Sequence, residues 1–196
     1  MDGTQARSVD HRADAGTDYR ASAVIRPVRP ADLPALSDFF AGLSTQTRYL
    51  RFFGPVAPTP ALLHLLSGQP AGVHAVVAVA GGVIVGHAMA VDRPEPEGRR
   101  DPGRDRTTDI GVVVTDAWQG RGVGSALMRA LIGQAQARGV TSLAMDVLHV
   151  NRQVLGMILG HWPDADVGHS RDSLEIGICL PRPVAPRVRP LVAVGG

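Results

Sequence analysis

The chain contains no lysine, and all 20 of its Lys/Arg positions are arginine. Such a bias fits a coding sequence rich in G and C. Set against 18 acidic residues, the formal net charge is only +2, too small to argue for a nucleic-acid partner. A single cysteine, Cys179, excludes an internal disulfide and fits a reducing compartment, so a cytoplasmic location is expected. No apolar run approaches the roughly 18 residues that span a bilayer, so no membrane partner is expected. The opening stretch "MDGTQARSVDHRADAGTDYR" alternates charges and lacks an apolar block, so it does not read as a secretory signal. The seven histidines never fall in a ligand spacing such as H-E-x-x-H, so no metal is expected. There is no internal repeat.

What the chain does have is apolar content, 44% over 196 residues, enough for one sizeable core. Residues 1–22 are polar and aperiodic and read as a disordered tail; residues 182–196 are a Pro-rich tail; the folded domain is expected over 23–181. A strand is expected at Val24 to Pro27. Asp32 reads as an N-cap with Pro34 in the first turn, and Leu33, Leu36, Phe39, Phe40 and Leu43 follow at helical spacing. "STQTRYLRFFG" continues as helix and stops at Gly54, before Pro55. Thr59 and Pro60 open a further helix that Gly68 ends. Two apolar runs around Gly81-Gly82 read as a hairpin. The charged segment "RPEPEGRRDPGRDR" is either an insertion or a lip over a site. "TTDIGVVV" is a strand, "SALMRALIGQAQARG" a helix closed by Gly139, "TSLAMDVL" a strand, "NRQVLGMILGHW" a short helix, and "DADVGHS" and "SLEIGICL" a final strand pair. That order implies an α/β domain with a mixed sheet.

Between a strand and a helix lies "DAWQGRGVGSALMRAL", with glycines at Gly120, Gly122 and Gly124. A helix that begins on a glycine-rich turn exposes unpaired backbone N–H groups, and its dipole adds partial positive charge. Glycine lets a ligand reach that backbone without meeting a Cβ. The turn is therefore a candidate phosphate or pyrophosphate site, with Arg121 at its rim; the alternative is that the glycines only allow a tight turn. The spacing is neither the dinucleotide fingerprint G-x-G-x-x-G nor a P-loop, since no Lys-Ser/Thr pair follows.

"GVVVTDAWQGRGVGSALMRAL" resembles the central motif of the GNAT acyl-CoA N-acetyltransferases, a strand, then [Q/R]-x-x-G-x-[G/A], then a helix. The motif falls on Gln119, Gly120, Arg121, Gly122, Val123 and Gly124, with Asp116 and Trp118 matching the residues that precede it. "VLHVNRQ" resembles the next strand of that family and its Asn, here Asn151. The resemblance spans roughly residues 24 to 181. It implies a GNAT fold, a mixed and mostly antiparallel sheet flanked by helices, with a splay between two parallel strands that holds acetyl-CoA as co-substrate. It implies that the backbone from Gln119 to Ser125 holds the pyrophosphate, that Val112, Val113 and Val114 line the pantetheine arm, and that Asn151 touches the pantetheine or the acyl region. Asn151 also reads as the N-cap of its own helix.

The N-terminal stretch "IRPVRPADLPALSDFFAGLSTQTRYLRFFGP" resembles the bacterial protein-lysine acetyltransferases that regulate acyl-CoA synthetases. In that branch an acidic residue of an A-E-F-A type strand acts as base, and Asp109 stands in its place, one methylene shorter; otherwise Asp109 is an exposed acid on a strand edge. The resemblance thus implies acetyl transfer to a primary amine. The acceptor is a protein lysine, with an acyl-CoA synthetase as candidate partner, or a small amine such as an antibiotic or polyamine. A domain that binds acyl-CoA without turnover is the reading from another class. The oxyanion donor is expected from backbone near Val112. A family tyrosine acid has no counterpart: Ile158 is near its place, and His149, water or no acid remain. Ser44 to Phe53 is expected either to line the acceptor side or to pack as ordinary helix. Having no lysine, the enzyme could not acetylate itself on one.

Overall fold

The computed structural model describes residues 22–94 and 106–181. The expected tails (residue 22 apart) and most of the charged segment after Asp92 lie outside the described residues. Seven strands form one sheet in the order β1-β2-β3-β4-β5-β7-β6. They are β1 (Val24–Pro27), β2 (Val73–Ala80), β3 (Val83–Asp92), β4 (Thr107–Val114), β5 (Ser142–Leu148), β6 (Asp166–His169) and β7 (Ser173–Cys179). Only the β4–β5 pair is parallel; all others are antiparallel. The expected mixed, mostly antiparallel sheet is what forms. Gly81 and Gly82, both at positive φ, close the β2–β3 hairpin.

Period-2 alternation gives the sheet two apolar faces. On β4, Ile110 and Val114 enter one core with Val76 and Ala88, and Val113 enters the other. The first core is capped by α4 (Val123–Ala137), whose Leu127 and Leu131 are fully buried, and by Ile158 of α5 (Arg152–His161). Each such burial contributes about 1.5–3 kcal/mol. The second is covered by Leu36 and Phe40 of α1 (Leu33–Ala41), Phe52 of α2 (Thr45–Phe52) and Leu66 of α3 (Pro60–Leu66). None of the helices among the described residues is long and apolar enough to cross a membrane.

Three local expectations are corrected. Asp32 occupies the N-cap of α1 without capping it. Its carboxylate accepts instead from Arg26 Nη1 and Nη2 at 2.6 and 2.8 Å and from the Arg29 N–H at 2.7 Å, and the Arg26 hydrogen bonds hold it below the usual carboxylate range. An arginine on β1 competes better for an anion than an uncharged helix end does. The second helix ends on Phe53, not Gly54: Phe53 takes the left-handed conformation (φ 60) and is exposed. Pro55 disfavours helical backbone at Gly54, so the cap moves back one residue. Helix α4 begins at Val123 rather than Ser125, because Gly122 at φ 80 serves as its N-cap. By contrast Thr59 and Asn151 cap α3 and α5 as read, each side chain accepting from the third residue on.

Beneath α1 lies His87 of β3, fully buried, its ring edge-on to Phe40. Nε2 is 2.7 Å from the Leu66 carbonyl, so it must carry the proton; Nδ1 is buried without a partner among the described residues. Burial pushes its pKa down from 6.5 to about 3, against the opposing hydrogen bond to Leu66. An unfolded histidine takes up a proton below 6.5 that the folded one refuses, so this stability is complete above that pH and shrinks as pH falls towards 3. The loss should reach about 3 kcal/mol by pH 4.5. Denaturant melts at pH 7 and 4.5 should show that slope in the parent and a much flatter one in His87→Gln; equal slopes would remove His87 as its source.

Candidate active site

Strands β4 and β5 pair only at Thr107↔Ser142, Thr108↔Leu143 and Asp109↔Ala144. Beyond Asp109, β4 continues against β3 up to Val114, while β5 continues against β7 up to Leu148. The two strands therefore splay immediately after Asp109. The β5-facing edge of β4 from Ile110 to Val114, which includes Val112, Val113 and Val114, has no strand partner among the described residues. The side chains of Val113 and Val114 are buried on opposite faces, so what this stretch offers at the splay is backbone.

The chain then makes a short 3₁₀ turn (Asp116–Trp118) and reaches the glycine turn. Gly120 and Gly122 have φ values of 70 and 80. Gln119 N bonds to Asp116 O, and the next N–H to find a backbone acceptor is that of Ala126, on Gly122 O. Among the described residues, those of Gly120, Arg121, Gly122, Val123, Gly124 and Ser125 have no backbone acceptor, and no side chain caps the helix. A Cβ on Gly120 or Gly122 would meet nothing within 4 Å. Packing inside the protein therefore does not require those glycines; their left-handed backbone does, and the open space beside them leaves the backbone approachable. The row of N–H groups at a helix start fits a pyrophosphate. The Arg121 guanidinium lies over the Trp118 ring at 5.4 Å, at the rim. Val123 contributes only backbone, since its side chain is core, and the Ser125 hydroxyl turns to Met157 Sδ at 3.4 Å.

The sequence matches the Acetyltransferase (GNAT) family over residues 42–160. The chain belongs to the GNAT acetyltransferase family. It is 32% identical over 147 residues to Acetyltransferase Pat of Mycolicibacterium smegmatis, a match covering 74% of this chain and 43% of that protein. The chain thus spans less than half the length of that curated relative. The solved GNAT domain of S. lividans PAT superposes with a TM-score of 0.70 at 22% identity, covering 81% of this chain and 90% of that one. A phosphinothricin acetyltransferase from Sinorhizobium meliloti, solved in complex with acetyl-CoA, superposes with a TM-score of 0.59 at 18% identity, covering 81% and 89%. The splay and the glycine turn of this GNAT chain are the features that fit acetyl-CoA. Among the described residues no group of three His, Cys, Asp or Glu side chains is placed to hold a metal ion.

The structure brings Asp109 to the mouth of the splay, half-exposed, on the face opposite α4. Its carboxylate is gripped by Arg93: Nε at 3.1 Å from Oδ1 and 3.0 Å from Oδ2, and Nη2 at 2.7 Å from Oδ1. The hydrogen bonds that Arg93 donates to the Asp109 carboxylate raise the arginine's pKa. A carboxylate has about four acceptor positions, so Oδ2 keeps one direction open. Asn151 sits at the end of β5 as the cap of α5. Ile158 is buried in the core and α5 carries no tyrosine. His149 turns towards the β6–β7 hairpin, with Nε2 3.4 Å from Ser170 O and its ring stacked on His169.

Sequence reasoning missed the bond between this site and α2. Asp116 Oδ1 accepts from Ser44 Oγ at 3.0 Å and Thr47 Oγ1 at 2.8 Å, chiefly the latter holding its carboxyl below the usual range. Gln119 Nε2 donates to Thr47 Oγ1 at 3.1 Å and to Val114 O at 3.0 Å. The Gln119 side chain therefore ties the turn to α2, and its N–H is already given to Asp116 O, so against the expectation from the sequence the unengaged N–H row starts at Gly120. The Arg93 clamp was missed too: Arg93 begins a segment that reads only as charged loop.

Proposed function

We propose that this chain transfers the acetyl group of acetyl-CoA to a primary amine in a ternary complex, and that the amine is a protein lysine. The observation that carries the proposal is the adjacency of the unengaged N–H row to a splay whose last pairing residue is Asp109. Bound acetyl-CoA supplies an activated acyl thioester. The N–H groups from Gly120 to Ser125 hold its pyrophosphate, the edge of β4 at Val112 to Val114, which no described strand pairs and where only Val114 O is engaged, by Gln119, takes the pantetheine, and Asn151 borders the far side of the splay. A β4 backbone N–H near Val112 donates to the thioester oxygen. Asp109 accepts the proton of the attacking amine, directly or through a water, with Arg93 fixing the orientation of its carboxylate. No side chain is assigned as acid; a thiolate is a good enough leaving group to depart without one.

The lysine acceptor rests on the resemblance of the N-terminal stretch to the lysine-acetylating branch, and an acyl-CoA synthetase is the candidate partner. A cytoplasmic setting, without nucleic-acid or membrane partners, follows from the lone cysteine and the small net charge. Calorimetry with acetyl-CoA, then thiol release with lysine peptides and small amines, tests the reading. Binding with release on lysine peptides supports it. Release on small amines alone moves the acceptor to an antibiotic or polyamine class. Binding without release makes the domain an acyl-CoA sensor, and no binding removes the acetyl-CoA reading.

A further inference from the structure

Helix α2 sends Arg51 across the sheet onto Gly111 of β4. A Cβ on Gly111 would stand 2.5 Å from the Arg51 Cζ and 2.9 Å from Nη1, so the guanidinium lies flat against the strand in the space a side chain would fill. It also covers the Phe52 ring at 5.0 Å. Nε is buried with no acceptor. Among the described residues no carboxylate pairs with it: Asp32 is taken by Arg26, Asp109 by Arg93, and Asp92 by Arg138 and His74. Burial lowers its pKa to about 10, which still leaves it charged at neutral pH. A cation withdrawn from water without a counter-ion is costly, and the cost falls when an anion arrives.

The position of this cation gives it a use. Gly111 lies two residues past Asp109, on the same face of β4 and within the stretch that has left β5. Arg51 itself is only partly exposed, as at the wall of a cleft. We propose that Arg51 is the receptor for a carboxylate that the acceptor carries beside its amine. This rests on the acetyltransferase reading and narrows its acceptor. The amine lies at Asp109 while the carboxylate lies against the Arg51 guanidinium, where it meets Nη donors that have no hydrogen-bond partner among the described residues. An amine without a neighbouring carboxylate meets an uncompensated positive charge instead. The carboxylate has two sources: an Asp or Glu side chain flanking the acceptor lysine of a protein, or the carboxylate of a small amino acid.

The test measures steady-state transfer on matched acceptor pairs, a lysine peptide with flanking Asp/Glu against its Asn/Gln twin, and amino acids against their amides. The parent enzyme should prefer the carboxylate member of at least one pair; preference within peptides names a protein source, and preference within amino acids a small one. Arg51→Gln should raise KM for that member about 10- to 100-fold with kcat little changed, leave its uncharged twin and acetyl-CoA affinity alone, and be partly rescued by Arg51→Lys. Gly111→Ala, which pushes the guanidinium off the strand, should reproduce the loss. Transfer with no carboxylate preference, or an Arg51→Gln effect equal on both members, overturns the proposal while leaving the transferase reading intact. Absence of transfer to every amine overturns both.

Discussion

Asp109→Asn should lower kcat on any amine acceptor by about 10²- to 10⁴-fold while acetyl-CoA binds as before. The amine arrives protonated at neutral pH and must lose a proton before it attacks. Asp109 is the carboxylate at the splay, where β4 and β5 part. Asparagine keeps the shape and can still accept from Arg93, yet cannot take a proton. The ion pair lost with it is about half-exposed on both sides, so folding stability should change by less than about 1 kcal/mol. The defect should shrink as the assay pH rises towards the amine pKa, because solution then deprotonates the acceptor. Turnover by the variant within about threefold of the parent across that range would remove Asp109 from proton transfer. Weakened acetyl-CoA binding in the same variant would instead show that Asp109 shapes the splay.

The elements of this fold are readable from period and punctuation. Strands with alternating or continuous apolar runs, and helices opened by Thr59-Pro60 or closed at Gly139, stand where the pattern puts them. So does the glycine turn between β4 and α4. What escapes is every interaction in which a polar side chain chooses among distant partners. Asp32 reads as a helix cap because caps are local, but Arg26 offers a stronger charge-assisted bond. Arg93 and Asp109 stand 16 positions apart, and Thr47 and Asp116 stand 69 apart. Nothing local marks either pair. Arg51 falls in the Ser44 to Phe53 stretch, which reads either as acceptor lining or as ordinary helix packing, and its seat exists only through the missing side chain of Gly111 on another strand. The backbone of the candidate site was thus legible, while the side chains that orient its base and tie α2 to the turn were settled by tertiary contact.

Two glycines of the turn should answer substitution with opposite signs. Gly122 caps α4 at φ 80, a conformation that costs a side-chain-bearing residue about 1–2 kcal/mol. Gly122→Val should therefore lose about that much stability, since the space around it is open and adds no clash of its own. It should lose more in binding. The N–H groups on either side of Gly122 point where the pyrophosphate is proposed to lie, and a branched side chain both twists them away and fills the approach. Forfeiting one or two charge-assisted hydrogen bonds predicts roughly 10²-fold weaker acetyl-CoA binding by calorimetry. Gly124 is different. It lies inside the first turn of α4 without positive φ, and a Cβ there would meet only Val114 Cγ2, at an ordinary 3.9 Å. Glycine inside a helix costs about 0.5–1 kcal/mol relative to alanine, so Gly124→Ala should stabilise the protein by that amount. Its N–H keeps its direction, so acetyl-CoA affinity should hold. If Gly122→Val destabilises the fold yet binds acetyl-CoA like the parent, the turn serves only the chain's own path and the pyrophosphate lies elsewhere. If Gly124→Ala also abolishes binding, the ligand passes closer to the helix than its backbone N–H groups alone require.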